Sequence, residues 1–409
     1  MLENLFGKDQ NDFTLIIEDR EIVIENGRLM RTMDTGADAI TISMPWEPGL
    51  DDKIDRITSP FSYSECAIYL GGELQATGLL YNITQKMDGN GISKDFEIFT
   101  KTADIIDSTL MPPFEANNIS LTDRCIQQCQ PFGIDVVIGD GVNLLTERRI
   151  KTGTFVKTRK QMATDLVATK ILNEALFINA DYKTVETKGT YKVTGTKIIR
   201  EEEKFSRVSG KQTDKIFNHL QKLAAQKGLL LSCTKYGDLL ITKANTEAEP
   251  VGTITIENPI AGSYSASYKG RDRFTQYRSL ASSSRSSKTG SASMAADDKV
   301  LTPRVLTFNG SNNLPGEALS AADWRKNKSA ADAMTLPFSI DTWYAPNGKL
   351  WEANTTVTII NPVIGENGFT FLIVKVEFIF ENNGISANLD LKPPTVFTTG
   401  EIVEPWIWE

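Results

Sequence analysis

Histidine is nearly absent from this chain: His219 is the single one among 409 residues. A catalytic triad could still be built on it, but no G-x-S-x-G elbow is present and no cysteine has a papain-like context, so a structural imidazole is the simpler reading. Cysteine is scarce too. Cys66, Cys125, Cys129 and Cys233 are too few and too scattered for a disulfide scaffold. Cys125 and Cys129 stand one helical turn apart, but no second His or Cys pair completes a metal shell, and both read as small buried apolar residues. Positive charge is also short. A net charge of -8 argues against a surface that binds nucleic acid by neutralising phosphates. The densest basic cluster, Arg148 and Arg149 with Lys151, Lys157, Arg159 and Lys160, reads as a solvated face. No apolar run reaches the length of a bilayer span, and Met1 to Gln10 lack the pattern of a secretory signal, so folding in a cytoplasm is expected.

Ligand motifs are missing in the same way. Gly189 to Gly195 followed by Thr196-Lys197 has the wrong order for a phosphate loop. Asp88-Gly89-Asn90-Gly91 lacks the later ligands of a calcium loop and reads as a turn. No residues are marked for a metal or a cofactor. Carboxylates are plentiful, but nothing singles out a glycosidase-like pair.

What the chain does have is repetition. Asn-Gly-Ile-Ser occurs at Asn90 to Ser93 and again at Asn383 to Ser386, each time between runs that alternate apolar and polar residues. Leu79 to Met87 and Asp95 to Phe99 flank the first copy; Ile373 to Phe380 and Ala387 to Leu391 flank the second. Asn-Gly favours a tight hairpin, which makes Asn90, Gly91, Asn383 and Gly384 candidate turn residues, and the matched flanks predict a duplicated β-domain. Asn347-Gly348 is a third candidate turn.

Period-two alternation covers most of the first hundred residues, through Ile22 and Ile24, Ile40, Ile42 and Met44, then Cys66, Ile68 and Leu70 into the Gly71-Gly72 turn. The middle changes character. A short helix over Leu121 to Cys129 follows a cap pair at Ser120 and Asp123, and Pro131 with Gly133 closes it before a strand at Ile134 to Ile138. A second helix starts near Lys211, carries Ile216, Leu220 and Leu223 on one face, and ends at Gly228. Leu229 to Cys233 then pairs with Leu239 to Thr242. A third helix is expected over Ala321 to Met334, stopping at Pro337. Met162 to Ile178 looks helical and Lys183 to Ile199 looks like a Thr-rich hairpin. Ser279 to Ser293 holds eight serines and predicts a mobile loop.

The fold class expected is α+β, mainly β: two similar antiparallel β-barrel domains plus a mixed α/β domain. The boundaries are 1–103 for the first barrel; 104–250 with 299–336 for the mixed domain, which carries an insertion at 161–206 and a Ser-rich loop at 279–298; 251–278 with 337–400 for the second barrel; and 401–409 for a tail.

Several stretches, taken in order, resemble the baseplate hub proteins of Mu-like contractile-tailed phages, a family related to late-control tail proteins and to the hub part of type VI secretion spikes. They are Ser120 to Asp135, the helix and hairpin from Gly210 through Lys243, Arg271 to Tyr277, Ala322-Asp-Trp324, Pro346 to Trp351, Asn354, and Phe371 to Val374 with its closing hairpin. The insertion at 161–206 is longer than the family usually carries, and the tail with Trp406 and Trp408 is a departure.

The resemblance implies a non-enzymatic homotrimeric ring without cofactor or metal, in which three chains present six similar domains. Such a ring joins a sixfold tail tube protein to a threefold central spike protein and contacts other baseplate proteins. Genome DNA passes through its channel without specific binding, no membrane anchor is implied, and the place is the virion tail baseplate after assembly in the host cytoplasm. Trp406 and Trp408 are candidate anchors on a partner. The rival readings are a tail-associated cell-wall or polysaccharide hydrolase and a non-catalytic carbohydrate-binding β-module.

Overall fold

A computed structural model describes residues 10–89, 91–142, 144–158, 180–187, 190–255, 261–280, 292–309, 315–361, 366–381 and 384–394. The chain divides into two compact units, one of Met1–Phe114, Thr122–Gly141 and Ser209–Glu409, the other of Glu115–Leu121 and Val142–Val208.

The smaller unit is a set of antiparallel ribbons. Strands Leu145–Thr158, Thr190–Glu202 and Ala180–Thr187 form one sheet in that order, and Glu115–Ser120 pairs with Lys204–Ser209. The Thr-rich hairpin is there, with Thr187 opposite Thr190. The helix expected over Met162 to Ile178 lies outside the described residues.

The larger unit is organised by one sheet of 14 strands. In chain order these are β1 Phe13–Ile17, β2 Arg20–Ile22, β3 Asn26–Thr32, β4 Ala39–Pro45, β5 Glu65–Leu70, β6 Glu73–Asp88, β7 Gly91–Phe99, β8 Thr253–Thr255, β9 Ala261–Tyr264, β10 Ser267–Tyr268, β11 Met334–Ile340, β12 Thr356–Asn361, β13 Glu366–Glu381 and β14 Gly384–Lys392. The first seven run side by side as β3-β4-β7-β6-β5-β1-β2, and the last seven as β9/β10-β11-β14-β13-β12-β8.

The two halves match residue by residue. β6 and β13 each have 16 residues, and β7 and β14 each have 9. Asp88 pairs with Gly91 across the first turn and Glu381 with Gly384 across the second. Tyr81 and Val374, the same position counted back from each turn, are left out of register by a bulge. A second bulge omits Gln75 between β5 and β6 and the matching Gly368 between β12 and β13. Bulges re-aim a strand at a defined place, so two shared bulges are a strong mark of one repeated unit. The repeat departs at its margin, where β1 lies antiparallel to β5 but β8 lies parallel to β12.

Two separate closed barrels are not what the described residues form. Neither half closes on itself among the described residues, and β13 of the second half pairs with β3 of the first, from Lys375 opposite Thr32 to Phe380 opposite Gly27. Alternation places Leu29, Ile40, Ile42, Phe96 and Ile98 in the same core as Phe338, Val376, Phe378, Leu389 and Leu391. The physical reason is edge satisfaction. A bulged strand bends away from its first partner, and the edge it exposes is taken up by the next strand within reach.

Three further expectations need correction. The first half is not purely β, because helix α1, Asp52–Ile57, interrupts it, capped by the Asp51 carboxylate that accepts from the Lys53 and Ile54 amides. The third helix does not run to Met334. Numbering the helices in chain order as α2 Ala103–Asp107, α3 Leu121–Cys129, α4 Ile216–Gln226 and α5 Pro315–Asp332, α5 begins at Pro315 rather than Ala321 and ends at Asp332, and Met334 already begins β11 with alternate residues buried. Pro337 lies inside that strand. It has no N–H to give, and it faces the break between β9 and β10, where Ser265 donates to its carbonyl. The Ser-rich stretch is bounded by strands: Ser279 lies in Gln276–Leu280, paired with Ala292–Ala296, while 281–291 lie outside the described residues.

The second helix starts at Ile216, after a turn in which the Asp214 amide donates to Lys211, and not near Lys211 itself; the strand after Gly133 is Val136–Ile138. Gly133 ends the turn after α3 with φ 66°. After α4, the Gly228 amide donates to Ala225 and the Leu229 amide to Ala224, a Schellman closure with Gly228 at φ 67°. Leu230–Cys233 pairs antiparallel with Leu239–Thr242, which runs parallel to Val136–Ile138. Strand Gln276–Leu280 lies between Ala292–Ala296 and Val305–Asn309, and Tyr277 and Ala295 pack on Ala322 of α5.

Candidate assembly surface

The buried polar groups brace the sheet. Arg31 donates through Nε to Asp38 (3.1 Å), through Nη1 to the Gln75 side chain (3.1 Å), and through Nη2 to the Gln75 carbonyl, which the bulge has freed from the ladder. Lys94, 1 % exposed, donates from Nζ to Thr58 Oγ1 (2.8 Å) and lies 4.0 Å from the Trp46 ring centroid. Asp55 accepts from Trp46 Nε1 (2.6 Å) and the Gly49 amide (2.9 Å), and these bonds hold its carboxyl below the usual range. The Trp343 indole donates to the carbonyls of Ile379 and Ser386, both at 3.1 Å, tying the closed end of the second hairpin to the core.

None of these clusters has the form of a reaction centre. His219 is buried in α4, and burial with Arg124 nearby holds its imidazole down at about 4, so it is neutral at pH 7. Cys125 and Cys129 are fully buried, and burial pushes the Cys129 thiol up to about 12. Among the described residues no group of three His, Cys, Asp or Glu side chains could hold a metal ion, and no helix is long and apolar enough to cross a membrane.

Asn90 and Asn383 lie outside the described residues. Gly91 and Gly384 do not occupy the two-residue connections; each is the first residue of its return strand, with φ 148° and 130°. Asn347 Oδ1 accepts from the Lys349 amide (3.0 Å), Gly348 has φ 80°, and the Ala345 and Lys349 backbones close the loop. That loop brings Trp351 back to Trp343, and both indoles are buried. Asn354, at φ 67°, accepts from the Asn245 amide and donates to the Lys243 carbonyl. Trp406 and Trp408 lie outside the described residues.

Two sheet edges escaped sequence reasoning. Past Leu80, β6 has β7 on one side and, among the described residues, no strand on the other. The corresponding part of β13 is the part paired with β3. At the other end of the order, β9 and β10 have β11 on one side only among the described residues. Pro337 was the available signal, because proline inside a sheet marks the neighbourhood of an edge.

Residues 315–400 match the family model for the fourth domain of the Mu phage baseplate assembly protein GpP. No curated protein matches the chain. Among solved structures, the chain is similar to the 43 kDa tail protein of prophage MuSo2 from Shewanella oneidensis, at 18 % identity over 94 % of this chain and 99 % of that one, with a TM-score of 0.67. It is similar to a tail protein from Neisseria meningitidis MC58, at 14 % identity over 95 % and 98 %, with a TM-score of 0.69. A type VI secretion component of E. coli, described as structurally similar to the T4 tail proteins gp27 and gp5, matches at 7 % identity over 92 % and 76 %, with a TM-score of 0.51. At such identities the likeness to these structures is one of fold. Residues 315–400 are thus similar to the fourth domain of the Mu phage baseplate assembly protein GpP, and the chain shares its fold with the tail proteins from Shewanella oneidensis and Neisseria meningitidis.

Proposed function

We propose that this chain is a structural hub of a contractile phage tail baseplate or a related injection device, without enzymatic activity. Three copies form a ring of six similar modules that joins a sixfold tail tube protein to a threefold central spike protein, contacts other baseplate proteins and encloses the DNA channel. The observation that supports this reading is the residue-matched repeat, β3 to β7 against β9 to β14 with both bulges shared. A chain that contains its own two-fold repeat lets threefold symmetry meet sixfold symmetry. The acidic balance fits a channel wall that repels phosphates, so DNA moves through without sticking.

Assembly in the host cytoplasm and residence in the virion follow from this role. The tail with Trp406 and Trp408 is proposed as an anchor on a neighbouring protein, and truncation after residue 400 that leaves assembly intact refutes it. The test of the main reading is a solution mass combined with negative-stain images of the purified chain. A ring of three subunits is expected; a compact monomer, or turnover of peptidoglycan, would overturn it.

A further inference from the structure

We infer that the ring is sealed by main-chain pairing between the open edge of β6 in one subunit and the open edge of β9/β10 in the next, in the register already used inside the chain between β13 and β3. The inference rests on the ring reading above and adds the surface, the partner and the register.

The argument is one of equivalent positions. Within the repeat, β6 corresponds to β13 through the shared bulges, so Asn82 to Met87 occupy the place of Lys375 to Phe380. β4 corresponds to β11: Ile42 lies opposite Phe96 on β7, and Phe338 lies opposite the matching Leu389 on β14. Gly27 lies opposite Ile42, and Tyr264 lies opposite Phe338, so β3 corresponds to the segment of β9 and β10. Both partners of the internal β13–β3 seam therefore have a second copy in the chain. In the internal seam they are paired; their copies sit at opposite ends of the subunit's sheet order, each without a strand neighbour on that side among the described residues.

Transferring the internal register, Lys375 opposite Thr32 through Phe380 opposite Gly27, puts Ile83 opposite Tyr268, Thr84 opposite Ser267, Gln85 opposite Ala266 and Met87 opposite Tyr264. The hydrogen-bond phase agrees. Ser265 and Lys269 direct their amides to Pro337 on β11 and to Ala333 just before it, so the intervening Ala266 and Tyr268 turn their main-chain groups to the outer edge. On β13 the Val374 carbonyl accepts from Met33 of the β3 side, so Val376, Phe378 and Phe380 face the seam, and their counterparts are Ile83, Gln85 and Met87. The two outer sets are the ones that the transferred register brings together.

Exposure fits the same assignment. Met87 is 83 % exposed and Tyr268 51 % exposed, whereas their counterparts in the internal seam, Phe380 and Arg31, are half-buried. The open edge reads Asn82-Ile-Thr-Gln-Lys-Met87 where β13 reads Lys375-Val-Glu-Phe-Ile-Phe380, so the subunit presents a polar edge with a lysine, the kind that stays apart until a shaped partner arrives. One donor edge and one acceptor edge per subunit make a head-to-tail contact, which closes into a ring if each step repeats the internal rotation.

The test is a designed cross-link in the full chain. Thr84→Cys with Ser267→Cys places two thiols at a non-hydrogen-bonded pair, where Cα atoms of facing strands stand about 4.5 Å apart, within disulfide reach. Mild oxidation should give a covalent trimer on a denaturing gel with the solution mass unchanged, while either single variant and the off-register pair Lys86→Cys with Ser267→Cys should give none. Gln85→Pro removes an amide from the seam face of β6 and should convert the ring to monomers with the circular dichroism spectrum retained. A trimeric mass without the Thr84/Ser267 cross-link would overturn the register and leave the ring reading standing. Monomers at every concentration without cross-link would remove both, and a ladder running past three subunits would overturn closure.

Discussion

If the two hairpins are copies, the same substitution should cost the same at both. Gly91 and Gly384 carry φ of 148° and 130°, and a Cβ built on either meets no atom within 4 Å. Replacement by alanine therefore creates no clash, and its cost is backbone strain alone, about 1 to 3 kcal/mol for a side chain held in a glycine-only region. Gly78 is the contrasting case. A Cβ there would lie 2.2 Å from the Phe99 carbonyl oxygen, so Gly78→Ala must push two backbones apart and should cost more than either turn variant. The assay is peptide-resolved hydrogen exchange by mass spectrometry, read over β6–β7 and β13–β14 under native conditions. With 1.4 kcal/mol equal to tenfold, Gly91→Ala and Gly384→Ala should each speed exchange of their own hairpin by about five- to a hundredfold. Two results would refute the reasoning: alanine leaving protection unchanged, which would deny the strain, or the two sites differing by more than about tenfold, which would deny the equivalence.

Three more expectations follow from the interior. His219 is neutral when folded, with its pKa near 4, so between about pH 6.5 and 4 the unfolded chain binds a proton that the folded chain does not. Stability should fall with pH across that window by about 3 kcal/mol, and His219→Leu should flatten the slope in urea titrations at pH 7 and 4.5. Asp214 partly opposes the effect, while Arg124 and Lys222 reinforce it. Trp343→Phe loses the donor shared by Ile379 and Ser386 and leaves a void between Phe13 and Phe378; a loss of about 2 to 3 kcal/mol is expected from denaturant midpoints, and a neutral result would deny the indole its tie to the hairpin. Asp38→Ala leaves the part-buried Arg31 guanidinium without its counter-charge, held only by Gln75, and should cost about 3 kcal/mol, whereas adding Arg31→Met should recover part of it; additive losses would show that the pair is not coupled.

The sequence alone carried the local rules. Alternation located most of the strands, because burying one face of a sheet writes a period of two into the chain at Ile40, Ile42 and Met44 or at Ala387, Leu389 and Leu391. The Asn-Gly-Ile-Ser pair revealed the duplication, and Gly228 the helix end. It misplaced the glycines by one step, because Asn-Gly normally fills a two-residue turn and here Gly91 and Gly384 follow it. It also extended the third helix through Met334, because neither helix nor strand is excluded by a short apolar run before proline.

Only the tertiary structure decided where the repeats meet. Nothing in Asn26 to Thr32 or Lys375 to Phe380 states that they are partners, because backbone pairing is the same for every side chain and its choice of partner depends on which edges the bulges leave open within reach. For that reason the repeat could be read from residues, whereas the seam, and the pair of open edges that copies it, could be read only from the fold.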